Sequence, residues 1–229
     1  MTKPTKDAHS ERILRGLEHD DSSVRLRAAL AAGTHPDPEH IGKLVERCAT
    51  EPEFHVRETL TWALTRHAAP LTVPLLVDEV RSGGDVRPER ARARSQALHT
   101  LSKIGDRQAW PVITPALLSD PDDEVARSAW RAAVVLVPEG EERELAVGLA
   151  AQLGRGERGT RLSLSRALIA LGEVMLPVLG AATADPDPRV RAHALATEQL
   201  WHDPDAGFAP AIEEAKRVVA LGGAGGEGR

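Results

Sequence analysis

Apolar residues recur along this chain at helical spacing, and short polar breaks interrupt them at regular intervals. From His9 to His19 one face carries Ile13, Leu14 and Leu17. Asp20 and Asp21 break that helix and open a second, whose core side holds Val24, Ala28 and Ala29 and which stops at Gly33. The pairing returns five more times. First helices are expected at about 38–49, 72–82, 107–118, 140–153 and 174–184, and second helices at about 54–67, 89–104, 122–137, 158–171 and 188–202. A last helix near 209–221, with Ile212, Ala215 and Val219 on one face, is expected to cap the open end. Residues 1–8 read as a disordered leader, 9–221 as one repeat domain and 222–229 as a Gly-rich disordered tail. The segment from Ser82 to Pro88 reads as an inserted loop.

Aligning the second helices on their first buried residue gives Val24, Val56, Ala93, Val125, Thr160 and Val190, with steps of 32, 37, 32, 35 and 30 residues. Three places earlier stand Asp21, Glu53, Asp122, Glu157 and Asp187, with Arg90 as the exception. Each acidic side chain is expected to cap its helix by accepting hydrogen bonds from free backbone N–H groups. One place after the alignment residue stand Arg25, Arg57, Arg94, Arg161 and Arg191, and only Ala126 departs. This ladder of arginines can reach carboxylates of its own or the adjacent repeat. Neither helix of a pair can bury its apolar face alone, so the pairs must stack.

The segments Asp21-Ser22-Ser23-Val24-Arg25, Asp122-Asp123-Glu124-Val125 and Asp187-Pro188-Arg189-Val190-Arg191 carry a resemblance to the HEAT-repeat family. It resembles in particular the short bacterial repeats also seen in phycobilisome-lyase-like proteins, and the resemblance covers roughly residues 9–202. The resemblance implies an all-α fold: a right-handed α-solenoid of about six antiparallel helix pairs with a C-terminal capping helix. It implies less about function, because the family includes scaffolds, transport adaptors and some enzymes. Similar repeats accompany helix-turn-helix regulators, but no DNA-reading module precedes His9.

Composition narrows the picture. Aromatic residues make up 3% of the chain, with no Tyr, so the core must be built from Ala, Leu and Val, whose small side chains let helices pack closely. There is no apolar run of membrane-spanning length. The polar start and the single cysteine, Cys48, suit a cytoplasmic protein, and the predominance of Arg over Lys suggests a bacterial, GC-rich source. The net charge of −5 argues against a general nucleic-acid coat, although a local basic stripe remains compatible with it.

In a stack of this kind the second helices are expected to line a concave groove, at positions +2, +3, +6 and +10 from the alignment residue. These positions supply Arg27, Glu58, Trp62, Arg66, Gln96, His99, Lys103, Arg127, Arg131, Arg166 and His193. The set is mostly basic, which fits an acidic peptide, a phosphate-bearing ligand or nucleic acid; the plainer reading is a solvated surface with long Arg stems. Trp62 is the most informative member, because Trp130 and Trp201 are expected in the core and Trp110 is expected to be packed. A ring at Trp62, flanked by Glu58, Arg66 and His99, makes either a binding hot spot or an inter-repeat packing residue.

Other motifs lead nowhere catalytic. Gly154-Arg155-Gly156-Glu157-Arg158-Gly159 matches G-x-G-x-x-G but follows a helix, so it reads as a helix stop and turn. His19, His35, His40, His55 and His67 crowd the first third without metal-ligand spacing and read as solvated. HEAT-like di-iron hydroxylases use several His-Glu dipeptides, which this chain lacks. Cys48 reads as a buried, inert thiol. No cofactor or metal is expected. The favoured function is a non-catalytic binding or adaptor module for a protein or peptide partner. The alternatives are a DNA-binding protein, including a HEAT-like glycosylase for alkylated bases with Trp62 as stacking platform, and a protein that sequesters a small molecule in a closed pocket.

Overall fold

The computed structural model describes residues 6–82 and 88–224, so the inserted loop, most of the expected leader and the end of the tail lie outside the described residues. Among those residues every regular element is helical. The chain forms two compact units, Met1–Thr114 and Pro115–Arg229.

The first unit contains α1 (Lys6–Leu17), α2 (Ser22–Thr34), α3 (Pro38–Thr50), α4 (Phe54–Thr65), α5 (Ala69–Arg81) and α6 (Pro88–Ile104). Helices α1, α3 and α5 form one layer, and α2, α4 and α6 pack in sequence as the other. Between the layers lie Leu17, Leu44, Leu60, Leu64, Leu76, Leu98 and Leu101, all fully buried. Burying a leucine contributes about 1.5–3 kcal/mol, so this seam of leucines and alanines supplies most of the driving force.

The first-layer helix expected at 107–118 is broken. Arg107–Val112 is a 3-10 turn capped by Asp106, and only Pro115–Leu118 is α-helical (α7). Pro111 and Pro115 each lack the N–H that would continue an α-helix. The same shortening affects 174–184, which becomes a 3-10 turn at Gly172–Met175 followed by α11 (Leu176–Ala182).

The second unit continues with α8 (Asp123–Leu136), α9 (Glu142–Ala150), α10 (Arg158–Ala170), α12 (Pro188–His202) and α13 (Phe208–Ala224). Helices α8, α10 and α12 pack in sequence, with α9 and α11 against them. Trp130 is completely buried, and its Nε1–H donates to the Leu118 carbonyl at 2.8 Å. Helix α13 does cap α12: Phe208, Ala211, Ile212 and Ala215 close over Ala192, Ala196 and Leu200. Trp201 is half-buried rather than sealed.

The turns between the layers repeat one construction. Five residues before the alignment position, a side chain accepts the N–H of the residue two places on: Glu51 from Glu53 at 3.0 Å, Asp120 from Asp122 at 2.9 Å and Asp185 from Asp187 at 2.8 Å. At the first turn the His19 ring does the same for Asp21 at 3.0 Å. Three of the ladder arginines then close the turn from within. Arg57 Nη1 donates to the carbonyls of Glu51 (2.8 Å) and Pro52 (2.6 Å), and Arg191 Nη1 to those of Asp185 (2.7 Å) and Pro186 (2.8 Å). Arg25 Nη1 does so for His19 (2.8 Å) and Asp20 (2.7 Å). Their main partners are therefore turn carbonyls that no backbone N–H meets, rather than carboxylates. Arg25 also reaches the adjacent repeat, gripping Glu51 with two bonds of 2.7 Å.

The caps divide by residue type. Asp21, Asp122 and Asp187 accept the expected N–H groups, from Ser23 (2.7 Å), Glu124 (2.9 Å) and Arg189 (2.8 Å). Glu53 and Glu157 stand at N-cap positions without making a side-chain cap bond. Capping favours the short side chains, and glutamate is one methylene longer than aspartate.

Candidate functional site

The seven second-layer positions named from sequence in the first unit do not behave alike. Glu58, Trp62 and Arg66 follow one another at i, i+4 and i+8 along α4, and all three are exposed. Trp62 keeps 40% of its surface open, while one edge of its ring lies against Gly33 at the end of α2. A Cβ added at Gly33 would come within 2.3 Å of that ring, so the glycine is what admits it. Trp62 therefore packs between repeats and still presents an exposed face.

His99, on α6, is half-buried with Nε2 3.5 Å from Glu58 Oε1, linking α4 to α6. Gln96 is not a groove contact, because its amide donates to the buried Thr61 hydroxyl at 3.0 Å inside the α4–α6 interface. Lys103 is exposed, as is Arg27 on α2.

Two residues on this face were missed. Leu30, 45% exposed on α2, stands at the same +6 position as Trp62 and His99, so the packed helices α2, α4 and α6 contribute one row: Leu30, Trp62, His99. Phe54, 59% exposed, precedes Glu58 by one turn on α4 and takes the Arg57 guanidinium at 6.0 Å from its ring. The signal was in the chain: the i, i+4 spacing from Glu58 reaches Phe54, and the +6 register reaches Leu30.

In the second unit, Arg127 pairs with Glu124 at 2.7 Å, which offsets its charge. Arg131 donates to Ser128 Oγ at 3.0 Å and to the Arg127 carbonyl at 3.3 Å, and Arg166 is exposed. His193 is not a surface residue: it is fully buried. Its Nδ1 accepts from the Gly154 N–H at 3.0 Å, which leaves the proton on Nε2, directed to the Arg161 carbonyl (3.0 Å) and Ser165 Oγ (3.1 Å). Burial lowers its pKa to about 4, so it is neutral at physiological pH.

The histidines of the first third are also not uniformly solvated. His19, His35 and His55 are exposed, but His40 and His67 are buried, edge to face at 6.3 Å. His40 Nε2 shares a proton with Ser10 Oγ at 2.9 Å, and His67 Nδ1–H donates to the Ala63 carbonyl at 2.8 Å. His40 lies on α3, whereas His67 stands in the turn that follows α4. Among the described residues no group of three or more His, Cys, Asp or Glu is arranged to hold a metal ion. Cys48 is buried 3.7 Å from Thr61 Oγ1, and burial raises its thiol to about 11, which keeps it protonated.

The G-x-G segment is a turn. Gly154 and Gly156 take φ of 82° and 68°, values that favour glycine, and the bend sends Arg155 back toward the preceding repeat. Two depressions lie elsewhere on the described surface. One, of about 500 Å³, lies among α3, α5 and α6 over Val45, Leu75 and Ala93. The other, of about 300 Å³, lies among α10, α12 and α13.

A family model for HEAT repeats matches residues 10–93, from within α1 to the early turns of α6. No curated protein matches the chain.

Proposed function

We propose that this HEAT-repeat protein is a non-catalytic binding module that holds a protein or peptide partner on the second-layer face of its first unit. The observation that carries the reading is the half-open Trp62 ring, seated on Gly33 between Leu30 and His99. An indole exposed beside a leucine costs solvation until a partner covers it, and buried aromatic anchors of this kind supply most of the binding energy in protein interfaces. Phe54 extends the apolar contact along α4. Arg27, Arg66 and Lys103 are exposed around it, which favours a partner with acidic groups flanking an apolar anchor. Stacked helix pairs suit this task, since each pair holds its neighbour's face rigid. Among the described residues no helix is long and apolar enough to cross a membrane.

The experiment is affinity capture with wild-type and Trp62→Ala baits matched for helicity and melting temperature. A species retained by the wild type and lost from the variant supports the proposal. Identical retained sets contradict it.

A further inference from the structure

We infer that the depression among α10, α12 and α13 is a binding site for a small amphiphilic carboxylate, with Arg161 as its anion anchor. Four cationic residues, Arg161, Arg189, Arg191 and Lys216, line it, and no acidic residue does. Ala192, Ile212 and Val219 provide an apolar floor. At about 300 Å³ it lies at the small end of ligand pockets, which run from about 300 to 1,000 Å³.

The repeat itself says what is missing there. Arg25 and Arg161 occupy equivalent positions, one place after Val24 and Thr160. In the first unit Arg25 is neutralised by Glu51, five places before Val56, through two 2.7 Å bonds. The residue equivalent to Glu51 is Asp185, five places before Val190. Asp185 keeps the turn bond to Asp187 N–H, as Glu51 keeps its bond to Glu53, but it is one methylene shorter. Among the described residues no carboxylate stands within ion-pair distance of Arg161, and its Nε is buried without a hydrogen-bond partner. A guanidinium that meets a bidentate carboxylate in one repeat faces an open, apolar-floored cavity in another. A ligand carboxylate there can pair with the outer nitrogens of the Arg161 guanidinium, supplying the counter-charge that Glu51 supplies to Arg25.

The other cations differ in role. Arg191 is held by the turn carbonyls of Asp185 and Pro186, whereas Arg189 and Lys216 pair with Asp187 (2.9 Å) and Glu213 (2.8 Å) on exposed surface. Exposed pairs of this kind are worth little and exchange readily, so both residues can turn toward an incoming anion.

The test is calorimetric titration of the full chain with octanoate, alongside acetate, which lacks the tail, and octanol, which lacks the charge. Wild-type protein is expected to bind octanoate saturably and the other two at least tenfold more weakly. Arg161→Gln is expected to weaken octanoate at least tenfold without lowering the melting temperature, because its guanidinium has no carboxylate partner to lose. Lys216→Glu, on the exposed side of α13, provides an independent variant with the same expected direction. Absence of saturable octanoate binding by the wild type overturns the inference. So does octanoate affinity unchanged in both variants, or acetate binding as tightly as octanoate.

Discussion

Arg155 reaches back across a repeat to Asp123: its Nε and Nη2 donate to one carboxylate oxygen at 3.0 and 2.8 Å. Nη2 also meets the Asp120 carbonyl, a turn acceptor equivalent to those that Arg57 and Arg191 serve in their own repeats. Arg155 therefore supplies from the next repeat the guanidinium that Ala126 fails to supply from its own. The positive-φ bend at Gly154 and Gly156 makes this reach possible, and the free Asp123 oxygen accepts Thr160 Oγ1 at 3.0 Å. Arg155→Ala is expected to destabilise the protein by roughly 2 kcal/mol, because it leaves one oxygen of a half-buried carboxylate and a turn carbonyl unmet. Arg189→Ala, which breaks only an exposed pair with Asp187, is expected to cost far less. Chemical denaturation of both variants checks the ranking, and equal losses contradict it.

The fully buried Glu51 is the junction of the first unit, since it receives Arg25, Arg47 (2.9 Å) and the Glu53 N–H. Burial pushes its carboxyl up, but Arg25, the Glu53 amide and Arg47 outweigh that and hold it at about 2, below its ordinary 4.5. A depressed folded value means the stabilisation is complete above about pH 4.5 and is lost as pH falls toward 2. Arg25→Ala is expected to cost roughly 3 kcal/mol, the usual range for removing one partner of a buried ion pair. Arg57→Ala, which frees two turn carbonyls and the exposed Phe54 ring but no buried charge, is expected to cost about 1–2 kcal/mol. Urea melts at pH 7 and pH 3 check both; a larger loss for Arg57→Ala contradicts the assignment.

His193 gives the second unit its own acid sensitivity. Its pKa of about 4 lies below the ordinary 6.5, so the unfolded chain binds a proton that the folded chain refuses. Stability should be flat above about pH 6.5 and fall between 6.5 and 4, by roughly 3 kcal/mol in total. His193→Asn, whose amide oxygen can still accept the Gly154 N–H, should be less stable at pH 7 but flatter across that window. Melting temperatures from pH 7.5 to 4.5 decide it, and parallel curves for the two proteins contradict the assignment.

Gly33→Ala isolates the seat of Trp62. Alanine is favoured over glycine in a helix by about 1 kcal/mol. Here its Cβ would meet the indole at 2.3 Å and the Ala63 Cα at 2.9 Å, and the backbone atom cannot swing aside. Overpacking of this kind costs about 1–3 kcal/mol, so the net effect is expected to be destabilising, with a shift in indole emission. A more stable Gly33→Ala protein contradicts the packing.

The helices were legible from the chain because their apolar faces repeat in a single register, and the Asp caps because a short carboxylate has one local task. Glu53 and Glu157 show the limit: acidic identity at the right position does not determine whether the side chain bends to its own helix. The breaks at 107–118 and 174–184 depend on prolines whose effect on a helix turns on local backbone room. Gln96 and His193 were placed on the surface by register alone. Each is instead committed to a partner on another helix, Thr61 and Gly154 respectively, which spacing along one helix cannot reveal. Leu30 and Phe54 escaped because the candidate face was read for polar and aromatic chemistry at fixed offsets, not for apolar residues left uncovered.

The central claim is tested most directly by the affinity of the captured partner for Trp62→Ala, titrated against the wild type at matched melting temperature. The account predicts a loss of roughly tenfold or more, the scale of a hot-spot aromatic. An affinity equal to that of the wild type would contradict it.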